Sequence, residues 1–363
     1  MLFIYKATGR NVYISILILI ILHIVELIIL TGRSEMKKSL FTKILREKKL
    51  MLPPLSGYTD YPYRQILAKF EPPFITTEMV NGRAVVEGNQ KTIQMLKKVT
   101  GSHFNGAQLL GKDPNFMAKA AKIIEDRGFD YVDINMGCAV RKVISKGEGV
   151  SLMKDEILAC KIVKAVSNEV DIPVTVKLRT GFCQQSINVV SLSQKLACSG
   201  ASAITIHGRT GEKKFGNPLS IHQMHEAAST LSIPVIVNGG IFSGIDAQYM
   251  LLQTGAAAAM PGRGILGNPW IIPEILCNYS GEIFTFPTLQ EKKDICTEHI
   301  HNVCEFYGEK FGVLKMRRIV FLYFSSCKYL KSLKNDVQKA EAVGDIYVLL
   351  DRIKEVNDIW VYE

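Results

Sequence analysis

The sequence predicts an α/β fold: a (β/α)8 TIM barrel, then an all-helical C-terminal domain, with an N-terminal hydrophobic segment ahead of both. Three observations carry this. Eight short β-rich runs alternate with helical stretches between Leu50 and Met260, and eight is the number of parallel strands that closes such a barrel. After Pro269 the alternation stops, and only long helical patterns follow. At the other end, residues 12–31 (VYISILILIILHIVELIILT) form the one long apolar run. An open doubly wound sheet would need a GxGxxG turn after its first strand, and PPLSGYTD is not one.

The apolar run is interrupted only by His23 and Glu26 and is long enough to cross a bilayer core. Seven basic residues follow it between Arg33 and Lys49 and only Lys6 and Arg10 precede it, so an anchor would leave the catalytic domain in the cytoplasm. The second reading starts the protein at Met36 (MKKSLFTKILREKKLMLPPLSG) as a soluble cytoplasmic enzyme, and we prefer it. The expected division is 1–35 extension, 36–285 barrel, 286–363 helical domain.

The eight expected strands are Leu50–Leu55, Phe74–Glu78, His103–Leu109, Tyr131–Asn135, Val174–Leu178, Ala203–His207, Val235–Asn238 and Ala257–Met260. The clearest helices between them are Pro114–Arg127, Asp155–Val166, Ser186–Ser199 and Gly244–Gln253. Ser or Asp stands near the starts of the last two and Gly near their ends, as helix punctuation requires. Pro273, Gly281 and Pro287 then mark a connection to helices expected at Leu289–Tyr307, Val313–Leu330 and Asp336–Val356.

With 47% hydrophobic and 21% charged residues, the chain can bury a large core and is not broadly disordered. Of the formal charge of +10, residues 1–50 carry +6 (nine Lys/Arg against three Asp/Glu), leaving +4 for the rest. Between Lys310 and Lys339 eight basic residues meet one acid, Asp336, a face suited to a polyanion or to plain solvent. The eight cysteines form no CxxC pair, which argues against a zinc site and a secreted disulfide framework.

Polar groups recur at the expected strand ends: Ser56, Gln108, Asn135, Cys138, Lys177, Arg179, His207, Arg209 and Asn238, with Gly262-Arg263-Gly264 after the last strand. A barrel brings all of them to one mouth. Singly each has a plain explanation. Gln108 could bond loop backbone, His207 could be a core histidine, and Lys177 could pair with Asp133. Gly239-Gly240 and Gly262-Arg263 suit a phosphate, because glycine lets backbone N–H groups approach an anion and arginine adds a charge-assisted bond. Lys177 could neutralise negative charge developing on a bound ligand. Cys138, in DINMGC, is placed to give a proton to a substrate at hydrogen-bond reach.

The segments PPLSGYTDYPYR, GAQLLG, DINMGC, VTVKLRTGF, ITIHGRT, VIVNGGI and MPGRGILGNPWI occur in the order of the tRNA-dihydrouridine synthase motifs, and the chain resembles that family over about Leu50–Ile272. The resemblance implies an FMN- and NADPH-dependent enzyme that reduces the 5,6 double bond of a uridine in the tRNA D-loop. It implies FMN contacts at Pro54, Leu55, Ser56, Gln108, Lys177, His207, Asn238, Gly239, Gly240, Gly262 and Arg263. Cys138 falls at the proton donor's position and Asn135 beside the base. Flavin N5 would pass hydride to uracil C6 while Cys138 protonates C5. It further implies a helical tRNA-binding domain, where Arg317, Arg318, Lys328 and Lys331 would hold phosphates. The expected protein is a monomer without metal. Ala139 stands where the family has proline, Pro53 where alanine is usual, and Ile319 and Leu322 where His and Trp are common. Another FMN barrel oxidoreductase, such as a dihydroorotate dehydrogenase, is the rival enzyme. A catalytically silent RNA-binding barrel is the rival of another class.

Overall fold

The structure is a computed structural model and describes residue 32 and residues 34–101, 103–213, 218–325 and 333–353. The apolar run 12–31, Lys328 and Lys331 lie outside the described residues. Among the described residues no helix is long and apolar enough to cross a membrane.

Seven parallel strands form one sheet in sequential order: β1 Phe74–Asn81, β2 Phe104–Leu110, β3 Tyr131–Met136, β4 Val174–Arg179, β5 Ala203–His207, β6 Val235–Asn238 and β7 Ala258–Met260. The first of the eight expected strands, Leu50–Leu55, is no ladder strand but a single parallel bridge from Leu50 to Ala259. Its bonds nonetheless reach both edges of the sheet. Met51 N–H donates to Ala259 O at 3.1 Å, Ala259 N–H to Lys49 O at 2.9 Å, and Leu52 N–H to Phe74 O at 3.0 Å. Pro53 and Pro54 stop it there, since proline has no N–H for a ladder.

Residues i and i+2 of a strand share a face, and the two faces of this sheet carry different cores. Val132, Ile134, Val176, Leu178, Ile204, Ile206 and Val237 pack outward into the larger cluster with the surrounding helices. Phe74, Tyr131, Ala203, Ile236 and Ala258 face the other way, where Phe41 and Leu45 from the helix over 34–48 join them. Phe41 sets its ring edge-on to Phe74 at 4.9 Å and tilted to Tyr131 at 5.4 Å. Gly106 makes room for Tyr131, because a Cβ there would overlap the tyrosine ring. The inner face is therefore plugged with apolar groups at the strands' N-terminal ends. Towards the C-terminal ends the same face carries Gln108, Asp133, Asn135, Lys177, His207 and Asn238.

Beyond β7 no strand follows among the described residues, as expected. The helix Leu289–Tyr307 opens with a Thr288–Glu291 capping box. The next runs Glu309–Tyr323, starting before the expected Val313 because Gly308 ends the first helix and admits only a tight connection. The expected helix Asp336–Val356 is instead two, Lys334–Lys339 and Val343–Arg352. The break has a partner: Arg317 donates from Nε and Nη2 to Ala340 O at 2.9 and 2.6 Å. The helix expected from Ser186 begins at Val189, because Ile187 is held extended in an antiparallel bridge to Gly181.

These C-terminal helices pack on the loops of the sheet. The Tyr63 hydroxyl bonds Ile265 O, and its ring stacks on His299 at 4.8 Å. Gly267 (φ 67°) lies so near the helix Glu309–Tyr323 that a Cβ would be 2.3 Å from Leu322 C.

Candidate active site

The polar groups at the C-terminal mouth form one connected set. On β3, Asp133 and Asn135 are two residues apart and share the inner face. Asn135 Oδ1 accepts from Cys138 N–H at 2.9 Å and Gly137 N–H at 3.2 Å, which bends the chain sharply at the strand end. Arg179 Nε donates to Gly137 O at 2.7 Å, and Val150 N–H to Cys138 O at 3.1 Å. Gly149 (φ 60°) sits against the same turn, where a Cβ would be 2.6 Å from Cys138 O. Cys138 is thus a half-buried free thiol on a loop pinned at four backbone atoms, although Ala139 supplies none of the stiffness of a proline.

Lys177 on β4 donates to Asn238 Oδ1 on β6 at 3.1 Å, and Asn238 Nδ2 donates to Met260 O at 2.8 Å. Lys177 therefore reaches across the mouth instead of bonding Asp133, which acts on it only through its charge. Burial and the nearby Arg179 lower the Lys177 pKa to about 8. Asp133, bonded by Thr175 Oγ1 and Gln108 Nε2 at 2.6 Å each, is pushed up to about 6 by burial. His207 on β5 is neutral: burial, Lys177, Arg179 and Arg209 all oppose its charge. Its buried Nδ1 has no hydrogen-bond partner among the described residues.

The glycines meet the arginines on the far side. Gly239 (φ 119°) and Gly240 (φ 70°) take backbone conformations that side chains disfavour. A Cβ at Gly239 would stand 3.7 Å from both His207 Nε2 and the Arg209 guanidinium, so its backbone borders both. At Gly262 the added atom would meet only Asn238 Nδ2, at 3.6 Å, leaving open space. Arg209 and Arg263 are close enough for their charges to act on each other.

Of the sequence-predicted residues, Gln108, Asn135, Cys138, Lys177, His207, Asn238, Gly239, Gly240, Gly262 and Arg263 come together at this mouth. Pro54 and Leu55 are half-buried and Ser56 exposed on the loop after the Leu50 bridge. The C-terminal helices hold that loop. Lys315 Nζ donates to Gly57 O at 3.2 Å and pairs with the buried Asp60 at 2.9 Å, while Gly57 N–H donates to Glu78 Oε1 at 2.5 Å. Arg318, exposed, lies over the Tyr58 ring at 4.4 Å, whereas Arg317 is turned away to Ala340. Sequence reasoning missed Thr175 and the Asp60–Glu78–Lys315 cluster. Asp60 at the end of the loop PLSGYTD and Glu78 within the apolar strand FITTEMVN were the available signal.

An α/β fold with a thiol, a half-buried lysine and an arginine–glycine cradle on one strand-end rim is an arrangement suited to an enzyme, with room and charge for an anionic group. The dihydrouridine synthase family model matches residues 51–356. A probable tRNA-dihydrouridine synthase of Rhizobium leguminosarum bv. phaseoli is 35% identical over 272 residues, covering 74% of this chain and 83% of the relative. That of Rickettsia conorii is 35% identical over 279 residues, covering 76% and 84%. tRNA-dihydrouridine synthase B of Pasteurella multocida is 35% identical over 279 residues, with the same coverages. The chain belongs to the dihydrouridine synthase family, which consists of flavin-dependent oxidoreductases.

Proposed function

We propose that this chain is a tRNA-dihydrouridine synthase that saturates the 5,6 double bond of a D-loop uridine, with FMN as bound cofactor and NADPH as reductant. The reading that 36–285 is a (β/α)8 flavin barrel and 286–363 a helical tRNA-binding unit belongs to the same proposal, as do a cytoplasmic location and a monomeric state. The single observation that carries it is the placing of Cys138, Lys177 and the Arg209–Arg263 cradle around one mouth.

The residues present fit FMN. The partnerless His207 Nδ1, the open space over Gly262 and the side-chain-free backbone at Gly239-Gly240 leave polar groups for a ligand to satisfy. Gly239, Gly240, Gly262 and Arg263, with Arg209, would take the phosphate, and Pro54, Leu55, Ser56, Gln108, Lys177, His207 and Asn238 the rest. When bound, FMN supplies the hydride that uracil C6 receives. Lys177 would supply a cation that favours the cofactor's reduced form. Cys138 gives its thiol proton to C5, and Asn135 orients the base beside it. The uridine must leave its stack to arrive there, with basic residues such as Arg318 on the phosphates.

Cys138→Ala tests this. The variant should bind flavin and oxidise NADPH but form little dihydrouridine, a loss of about a hundredfold or more for a missing general acid. Full product yield would exclude the thiol as the principal acid.

A further inference from the structure

The mouth contains a hydrogen-bond chain anchored on Asp133, a residue that none of the cofactor or proton-transfer assignments uses. Asp133, 3% exposed, is gripped from both neighbouring strands: its register partners are Gln108 on β2 and Thr175 on β4. Its Oδ2 accepts from Gln108 Nε2 at 2.6 Å, and Gln108 Oε1 accepts from Asn135 Nδ2 at 2.8 Å. Asn135 Oδ1 then accepts from the backbone N–H groups of Gly137 and Cys138. Both ends of this chain are chemically fixed. A carboxylate only accepts and a backbone N–H only donates, so the two amides between them have one self-consistent sense.

We propose that Asp133 is a positioning residue whose carboxylate anchors the Gln108–Asn135 chain and so holds the Cys138 turn where its thiol can reach the base. The inference rests on the reading of Cys138 as proton donor. The backbone N–H end fixes the sense of both amides by itself, so an Asn at 133 can present its carbonyl to Gln108 and keep the chain. A side chain with no acceptor, such as Leu, leaves Gln108 Nε2 unheld, and the chain no longer ties the Cys138 turn to the neighbouring strands.

The test is Asp133→Leu in the flavin-loaded enzyme, read by kcat and KM on unmodified tRNA and by the iodoacetamide alkylation rate of Cys138, mapped by mass spectrometry. We expect kcat to fall about tenfold with KM for tRNA within about twofold, as misplacement of a reacting group predicts. The alkylation rate should change about threefold or more, because the turn that sets thiol access has shifted. Unchanged kcat, or a lost kcat with unchanged alkylation, overturns the proposal. Should Asp133→Leu fail to fold, Asp133→Ala removes the same acceptor with less bulk and is read in the same way, with the same overturning results. Cys138→Ala is run in parallel. If that variant keeps full product, the proton-donor reading fails; if it is inactive while the Asp133 variant is normal in both readouts, only the chain fails.

Discussion

Asp133 and Lys177 hold charge where the fold would do better without it, and that sets their pH behaviour. The Asp133 pKa is raised by burial to about 6, so its protonated form favours the fold at low pH and this benefit is lost as pH rises through about 6. Asp133→Asn should therefore be as stable as the native chain or more stable, by up to about 3 kcal/mol at neutral pH. Its advantage should grow by about 1 kcal/mol between pH 5 and 8, measured by urea melts; an advantage that shrinks over this range would contradict the burial argument. Lys177 has the opposite linkage. Its pKa is lowered to about 8, so the cation is present below that pH and lost above it. Flavin reduction by NADPH should slow as pH rises through about 8, and Lys177→Arg should flatten that fall because guanidinium keeps its proton. Stopped-flow absorbance at a series of pH values checks both.

At the scale of elements, the loop after the Leu50 bridge depends on how the C-terminal helices seat on the sheet. Gly267→Ala adds a Cβ at positive φ against the backbone of the helix Glu309–Tyr323. It should destabilise by about 2–4 kcal/mol, combining left-handed strain with overpacking, and weaken tRNA binding as well; an unchanged melting temperature would refute the close packing. Arg317 and Arg318, adjacent in sequence, should separate. Arg317→Ala orphans the Ala340 carbonyl and should cost about 1–3 kcal/mol in a denaturant melt. Arg318→Glu should leave stability within about 0.5 kcal/mol.

Seven of the eight expected strands were legible because each is a short β-rich run set off by helical stretches. The first was misjudged in length because its prolines limit hydrogen bonding without changing its apolar look. The helix break at Ala340 was illegible because it depends on Arg317, more than twenty residues away, and no local pattern reports that. In the site, the glycines, Cys138 and Lys177 stood out at strand ends. Which partner Lys177 would take was not readable, since reaching Asn238 and not Asp133 depends on strand curvature.

Over the whole molecule, the +10 charge is uneven, with a basic segment after Lys310 and a mouth lined by Lys177, Arg179, Arg209 and Arg263. A tRNA held through phosphates should bind less tightly as salt rises, and charge reversal at Arg318 should reduce the slope of log affinity on log salt by about 1. Gel-shift titrations at several salt concentrations measure it; an unchanged slope would remove Arg318 from the interface. The central claim is that the Cys138 rim saturates a uridine in tRNA. It is met most directly by mass mapping of tRNA from a strain lacking this gene, restored with either the native gene or Cys138→Ala. The native gene should return a gain of two hydrogens at a D-loop uridine and the variant should not. An unshifted tRNA with the native gene, or an equal shift with both, would contradict the account.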